Sequence, residues 1–235
     1  MRKMYFFGCS YTYGHGLEDC IIGPEMMAGH DPSKLGWAQM LGDDLGFEVV
    51  NFGFPGASNR HIMHVINCEQ YDLEPGSPVV IHWSHLGRTM RFNIELERPW
   101  QPYYNNGRPS WENYIEKIGP WFDNELSNNY YAYIHNDLND AYELAWCIDY
   151  ATLKLAKRNM GPVLNLGPAT WKPDQADVIR GSLDNDVEWP AMSLCEKSTK
   201  KGYDLALDGT HPGLLANRSF ADDVIARYSE FLNSR

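Results

Sequence analysis

The chain has 235 residues, 43% of them hydrophobic and 22% charged, a composition that excludes a disordered or fibrous protein. At about 150 residues per domain, that length fits one large domain carrying an insertion. The balance of 20 Lys+Arg against 31 Asp+Glu, a net charge of −11, opposes a nucleic-acid backbone or an anionic bilayer, and with no basic patch to offset it neither is expected as a partner.

Arg2 and Lys3 lead only to a short apolar run at residues 4–7 before Gly8, less than the roughly 7 to 15 apolar residues of an export signal. No run of about 18 apolar residues suits a membrane span. The five cysteines (Cys9, Cys20, Cys68, Cys147, Cys195) are widely spaced and include no CxxC pair, which argues against a disulfide framework or a zinc knuckle. A reducing, cytoplasmic compartment is the expectation.

Residues 4–7, 48–51 and 78–83 are apolar runs bounded by glycine or proline signals and read as three buried strands. Between the first two, Leu35, Trp37, Ala38, Met40, Leu41 and Leu45 recur at helical spacing up to Gly46, which suits a C-cap. Between the next two, Ser58 or Asn59 can cap a helix carrying Ile62, Val65 and Ile66. The alternation is that of a parallel sheet with crossover helices. It resumes with a stripe from Ala141 to Leu155, a fourth strand at residues 163–166, and a last helix through Phe220, Val224, Tyr228 and Leu232 with Pro212 placed at its start. Residues 167–207 hold Pro168, Pro173 and Pro190, which interrupt any long element; a fifth strand would have to fall there.

The segment 92–134 breaks this rhythm with 11 aromatics in 43 residues, about double the chain-wide 13%. Tyrosine and tryptophan pair a large apolar face with a polar tip, which suits a lid or sugar-binding wall, and equally a mini-core or the subunit contact of a homo-oligomer.

Three loops carry groups that could do chemistry where open parallel sheets gather ligands. Gly8-Cys9-Ser10-Tyr11-Thr12 puts a serine just past the first strand. Asn51 to Asn59 is a turn in which Gly56 lets the backbone approach a ligand and offers its N–H to a developing negative charge. Asp208-Gly209-Thr210-His211 spaces an aspartate to hold an imidazole. A serine hydroxyl needs a neutral imidazole to take its proton, and that imidazole needs an acceptor on its other nitrogen. Ser10, His211 and Asp208 supply the three parts.

In these blocks the sequence resembles the SGNH hydrolase superfamily, also called GDSL-type hydrolases, which implies a flavodoxin-like three-layer α/β/α sandwich around a central parallel sheet. The resemblance implies a carboxylic-ester hydrolase, an esterase or carbohydrate O-deacetylase, with no metal or organic cofactor and with a small-molecule or carbohydrate ester as substrate. It makes Ser10 the nucleophile, Asp208 and His211 the rest of the triad, and the backbone N–H groups of Ser10 and Gly56 the start of the oxyanion hole. The Asp-Ser-Leu letters of the family name are replaced by Cys-Ser-Tyr. Compact members without export signals resemble those encoded by bacteria and their phages.

The departure lies after the third strand, where the family has Gly-x-Asn-Asp and this chain has His82-Trp83-Ser84-His85-Leu86-Gly87-Arg88. Asn59, Ser84 and His85 are the candidates for the missing oxyanion donor. Tyr11 and Trp83 are aromatic candidates for substrate contact, and Arg88 and Arg91 for binding an acidic group. The pairs His82/His85 and His61/His64 could suggest a metal site, but residues three apart diverge along a strand. The missing asparagine motivates a rival of another class, a catalytically lapsed relative that binds a glycan or protein through the aromatic segment.

Overall fold

The computed structural model describes residues 1–22, 27–29, 31–68, 72–92, 115–120, 122–167, 173–182, 193–194, 196–197 and 202–234. The chain runs β1 (Lys3–Gly8), the single turn α1 (Ser10–Tyr13), the short antiparallel pair β2 (Ile21–Ile22) and β3 (Met27–Ala28), α2 (Trp37–Leu45) and β4 (Glu48–Asn51). It continues through α3 (Asn59–Asn67), β5 (Val79–His82), a hairpin of β6 (Thr89–Phe92) and β7 (Ile115–Ile118), α4 (Glu125–Tyr133) and α5 (Asp137–Lys157). β8 (Val163–Leu166), α6 (Pro173–Ser182) and α7 (Leu214–Asn233) complete it.

The central sheet has the order β4-β1-β5-β8 with every pairing parallel. Strand side chains alternate between faces, and both faces of this sheet are covered by helices, so the strands read as continuous apolar runs. Tyr5 and Phe7 of β1, with Val79 and Ile81 of β5, pack against Ile62, Val65 and Ile66 of α3 and Leu144, Ile148 and Leu155 of α5. Met4 and Phe6, with Val80, Leu164 and Leu166, face the opposite layer, Trp37 and Leu41 of α2 and Phe220 and Val224 of α7. At about 1.5–3 kcal/mol per fully buried large apolar side chain, these two cores are the main favourable contribution to folding. The architecture is the expected flavodoxin-like α/β/α sandwich.

The helix boundaries follow their caps. Gly46 closes α2 in the left-handed conformation with φ 75°, and Ser58 opens α3 by accepting the His61 N–H at 3.2 Å. Asn136 opens α5 by accepting from the N–H groups of Leu138 and Asn139. One expectation is corrected. Pro212 is not the first residue of the last helix: α7 begins at Leu214 after Gly213, and Pro212 instead forms an isolated bridge with Leu205. The fifth strand expected within 167–207 falls largely outside the described residues; those described there hold α6 and one end of that bridge.

Of the aromatic segment, β6, β7 and α4 are described; Trp100, Tyr103, Tyr104, Trp111, Tyr114 and Trp121 lie outside the described residues.

Candidate active site

The chain leaves β1 for β4 on one side and later returns to β5 on the other, so the carboxyl ends of β1 and β5 flank the switch point at which such sheets bind ligands. Gly8 ends β1 in register with His82 of β5. A side-chain carbon at Gly8 would fall 2.0 Å from Thr12 Oγ1 and 3.0 Å from the His82 carbonyl. Glycine therefore lets the chain turn at once into α1, whose first residue is Ser10. Ser10 is 4% exposed. Gly14, at φ 79°, closes the turn by donating to the Ser10 carbonyl.

The third loop docks on this turn. Leu207 N–H donates to the Gly16 carbonyl at 3.0 Å. Asp208 Oδ1 accepts the N–H groups of Thr210 at 2.9 Å and His211 at 3.0 Å, while Oδ2 lies 2.5 Å from His211 Nδ1. Burial pushes the Asp208 pKa up, but the N–H groups of His211 and Thr210 and the His211 ring outweigh it and hold the carboxyl below its usual range. An ionised carboxylate only accepts, so His211 carries its proton on Nδ1 and keeps a lone pair on Nε2.

The Ser10 turn contacts the His211 ring through two neighbours of the serine. Tyr11 meets it edge-on with centroids 5.7 Å apart, and His15 lies tilted against it at 4.7 Å. Burial holds the His211 pKa below the ordinary imidazole value despite Asp208. His15 is lowered too, by burial first and then by His211. Among the described residues Ser10 Oγ makes no hydrogen bond to His211; in unliganded hydrolases such contacts are often long and tighten with substrate.

The second loop is pinned to the same turn. Asn51 donates through Nδ2 to the Thr12 carbonyl at 2.7 Å and accepts the Gly53 N–H through Oδ1 at 2.8 Å, and the Phe54 N–H reaches the Gly8 carbonyl at 3.0 Å. Gly56 sits at φ 76°, a conformation that favours glycine.

The remaining sequence candidates separate. The Asn59 side chain is engaged with the Ser84 backbone, donating to its carbonyl at 3.3 Å and accepting its N–H at 2.7 Å. Ser84 is fully buried, its Oγ accepting from Arg88 at 3.5 Å. His85 packs edge-on against Tyr11 at 5.7 Å, so it shares that ring with His211. Burial, with help from the Arg88 charge, pushes the His85 pKa down to about 3. Arg88 also contributes to lowering His211, which places its charge within electrostatic range of the Asp208–His211 pair.

Trp83 is a core residue with 0% exposure, its indole N–H bonded to Asn165 Oδ1 at 3.1 Å, and it presents no surface to a substrate. Arg91 is paired with Glu116 across the hairpin at 2.7 Å. His82 points into the α2/α7 layer against Trp37 and Phe220.

Two residues with no place in the sequence argument join the site. His15 lies 3.8 Å from Asp208 Oδ2, so His15, Asp208 and His211 offer three atoms within 4.8 Å of one another, a geometry that could also hold a cation. Lys117 of β7 reaches the Pro55 carbonyl at 2.6 Å. His15 could have been suspected from its place five residues after the serine; the position of Lys117 depends on a hairpin that no local pattern encodes.

No protein-family model and no curated protein matches the sequence. Solved structures do. A member of the lipolytic G-D-S-L family from Veillonella parvula superposes with TM-score 0.51 at 11% identity, covering 97% of this chain and 98% of that one. The esterase EstA from Pseudoalteromonas sp. gives TM-score 0.55 at 12% identity over the full length of both chains. The chain has the SGNH/GDSL-type hydrolase fold. The acetyl xylan esterase Est2A from Butyrivibrio proteoclasticus shares that fold, with TM-score 0.55 at 13% identity over 98% of this chain and 64% of that one. Within the SGNH fold, no described helix of this chain is long and apolar enough to cross a membrane.

Proposed function

We propose that this protein hydrolyses carboxylic esters by a covalent acyl-enzyme route. The Ser10 hydroxyl attacks the ester carbonyl as His211 Nε2 takes its proton, and Asp208 stays ionised and stabilises the resulting imidazolium. The tetrahedral intermediate collapses by breaking the bond to the alcohol, which leaves with the proton from His211. Water then attacks the acyl-serine carbonyl, giving its proton to His211, and Ser10 regains one as the carboxylic acid departs. The observation that carries this reading is the 2.5 Å contact between Asp208 Oδ2 and His211 Nδ1, seated against the Ser10 turn.

The backbone N–H groups of Ser10 and Gly56 are the proposed oxyanion donors. Of the candidates for a third, Asn59 is engaged with the Ser84 backbone, whereas His85, neutral at working pH, is the better placed beside Tyr11. The proposed substrate is a short acyl group, such as acetate, on a carbohydrate. The aromatic richness of the sequence over 92–134 supports it, and so does the presence of carbohydrate esterases among the proteins sharing the fold. No metal or organic cofactor enters these steps.

The test is hydrolysis of p-nitrophenyl acetate, butyrate and octanoate by the wild type beside Ser10→Ala and His211→Ala. Activity on acetate that disappears in both variants supports the reading. The second reading, a lapsed relative that only binds, is favoured by the missing third-block asparagine and by the absence of a Ser10–His211 hydrogen bond among the described residues. A wild type that neither hydrolyses these esters nor is labelled at Ser10 by a fluorophosphonate would establish that second reading instead.

A further inference from the structure

We infer that Lys117 is a positioning residue that aims and strengthens the Gly56 oxyanion donor, in a chain that lacks the third-block asparagine. The inference rests on the serine-esterase reading above and names a part of its machinery.

The argument starts from the turn Phe54-Pro55-Gly56-Ala57. The Ala57 N–H donates to the Phe54 carbonyl at 3.0 Å, and Gly56 has φ 76°. Proline holds its own φ at about −65°, so the first central residue is not left-handed while the second is. That combination is a type II turn. Its central peptide joins the Pro55 carbonyl to the Gly56 N–H, and in a trans peptide these two point in opposite directions across one rigid plane. Whatever grips the carbonyl also fixes where the N–H is aimed.

Lys117 is that grip. Its ammonium donates to the Pro55 carbonyl at 2.6 Å and lies 4.5 Å from the centroid of the Phe54 ring. A side-chain carbon at Gly56 would stand only 3.2 Å from the same nitrogen. The cation therefore grips Phe54 and Pro55 and fills the space beside Gly56 that a side chain would take. A charged donor makes a shorter and stronger hydrogen bond than a neutral one, and by polarising the amide it makes the N–H at the far end a better donor. Lys117 stands opposite Met90 in the β6–β7 hairpin, so the hairpin that follows β5 reaches over to brace the second loop. The lysine charge also contributes to lowering the His15 imidazole beside His211, which puts it within electrostatic range of the catalytic corner.

The experiment compares kcat and KM on p-nitrophenyl acetate for wild type, Lys117→Met, Lys117→Arg and Ser10→Ala, and follows the Gly56 amide by ¹⁵N NMR in the full chain. Methionine keeps an unbranched stem over Phe54 and removes only the charged donor. Because losing a whole oxyanion donor costs about 100- to 1000-fold, misaiming one should lower kcat roughly 10- to 100-fold. KM should stay within about twofold, Lys117→Arg should restore most of kcat, and the Gly56 amide resonance should move in Lys117→Met and return in Lys117→Arg. If Lys117→Met keeps the wild-type kcat while Ser10→Ala is inactive, the esterase reading stands and this inference falls. A raised KM with unchanged kcat overturns it equally, since that is what a simple brace of the hairpin would give. If the wild type hydrolyses none of the esters, the esterase reading fails, and the amide then decides the structural claim: an unmoved Gly56 resonance in Lys117→Met overturns it.

Discussion

Gly16 and Asp208 fit together because Gly16 has no side chain: a Cβ there would lie 2.8 Å from the Asp208 carboxylate. Gly16 also sits at φ 87°, where an L-residue is strained by roughly 1–3 kcal/mol. The first loop therefore shapes the seat of a residue nearly two hundred positions away. Gly16→Ala should displace the carboxylate and loosen its grip on His211. Misplacements of about 1 Å can cost on the order of 100-fold in rate, so kcat on an activated ester should fall on that scale while the protein remains folded by circular dichroism. An unimpaired Gly16→Ala enzyme would show that the Asp208 seat is not needed.

Asp208→Asn separates charge from shape. The amide keeps the volume of the carboxylate and can still accept the N–H groups of Thr210 and His211 through its oxygen. What it loses is the anion that obliges His211 to hold its proton on Nδ1. The comparable change in serine proteases costs about 10,000-fold in kcat through the wrong tautomer, and on the proposed mechanism a loss of that order is expected here with KM little changed. Steady-state kinetics at neutral pH, set beside Ser10→Ala, measures it.

The pH profile follows from the environment of His211. Burial lowers its pKa below the ordinary value of 6.5, opposed by the nearby Asp208. As the proposed base, His211 must be neutral to take the serine proton, so kcat/KM should rise with pH to a plateau whose midpoint lies below 6.5. A midpoint above that value would mean that Asp208 outweighs burial, or that another group limits the rate.

What could be read in the sequence and what could not divides along local against long-range causes. The strands at Tyr5 and Val80 were legible because both faces of the sheet are buried there, which leaves an uninterrupted apolar run, whereas the edge strand at Val49 is only half-buried and was marked by its valine pair. The serine just past β1, the turn at Gly56 and the Asp208–His211 contact were legible because a strand end, a glycine turn and an Asp-x-x-His spacing are short patterns. Trp83 misled because a tryptophan beside a functional loop looks the same whether it faces solvent or, as here, the α5 side of the sheet. Asn59 opens α3 just past the second loop, yet its partners on Ser84 are 25 residues on, and only the fold shows that its amide is committed. Lys117 could not be found at all from spacing, since its role depends on how β7 folds back over the turn at Pro55.

The last prediction concerns stability in acid. Burial drives the pKa of His82 down to about 4 and that of His85 to about 3. Both imidazoles are therefore neutral in the folded state at pH 5, whereas in the unfolded chain they would be protonated below about 6.5. The unfolded state then binds more protons, so stability falls as pH drops from about 6.5 towards 4, by as much as about 2.7 kcal/mol per pH unit while both sites contribute. His82 makes a clean test because it sits in the core against Trp37 and Phe220, and among the described residues neither of its ring nitrogens has a hydrogen-bond partner. His82→Leu removes two unsatisfied buried polar atoms along with the titration, and replacing such a group by an apolar one of similar size is close to neutral or stabilising. Urea unfolding of wild type and His82→Leu between pH 7 and 4 should give a variant at least as stable at pH 7 and a slope of stability against pH shallower by up to about 1.4 kcal/mol per unit. Equal slopes would show that His82 does not drive the acid loss.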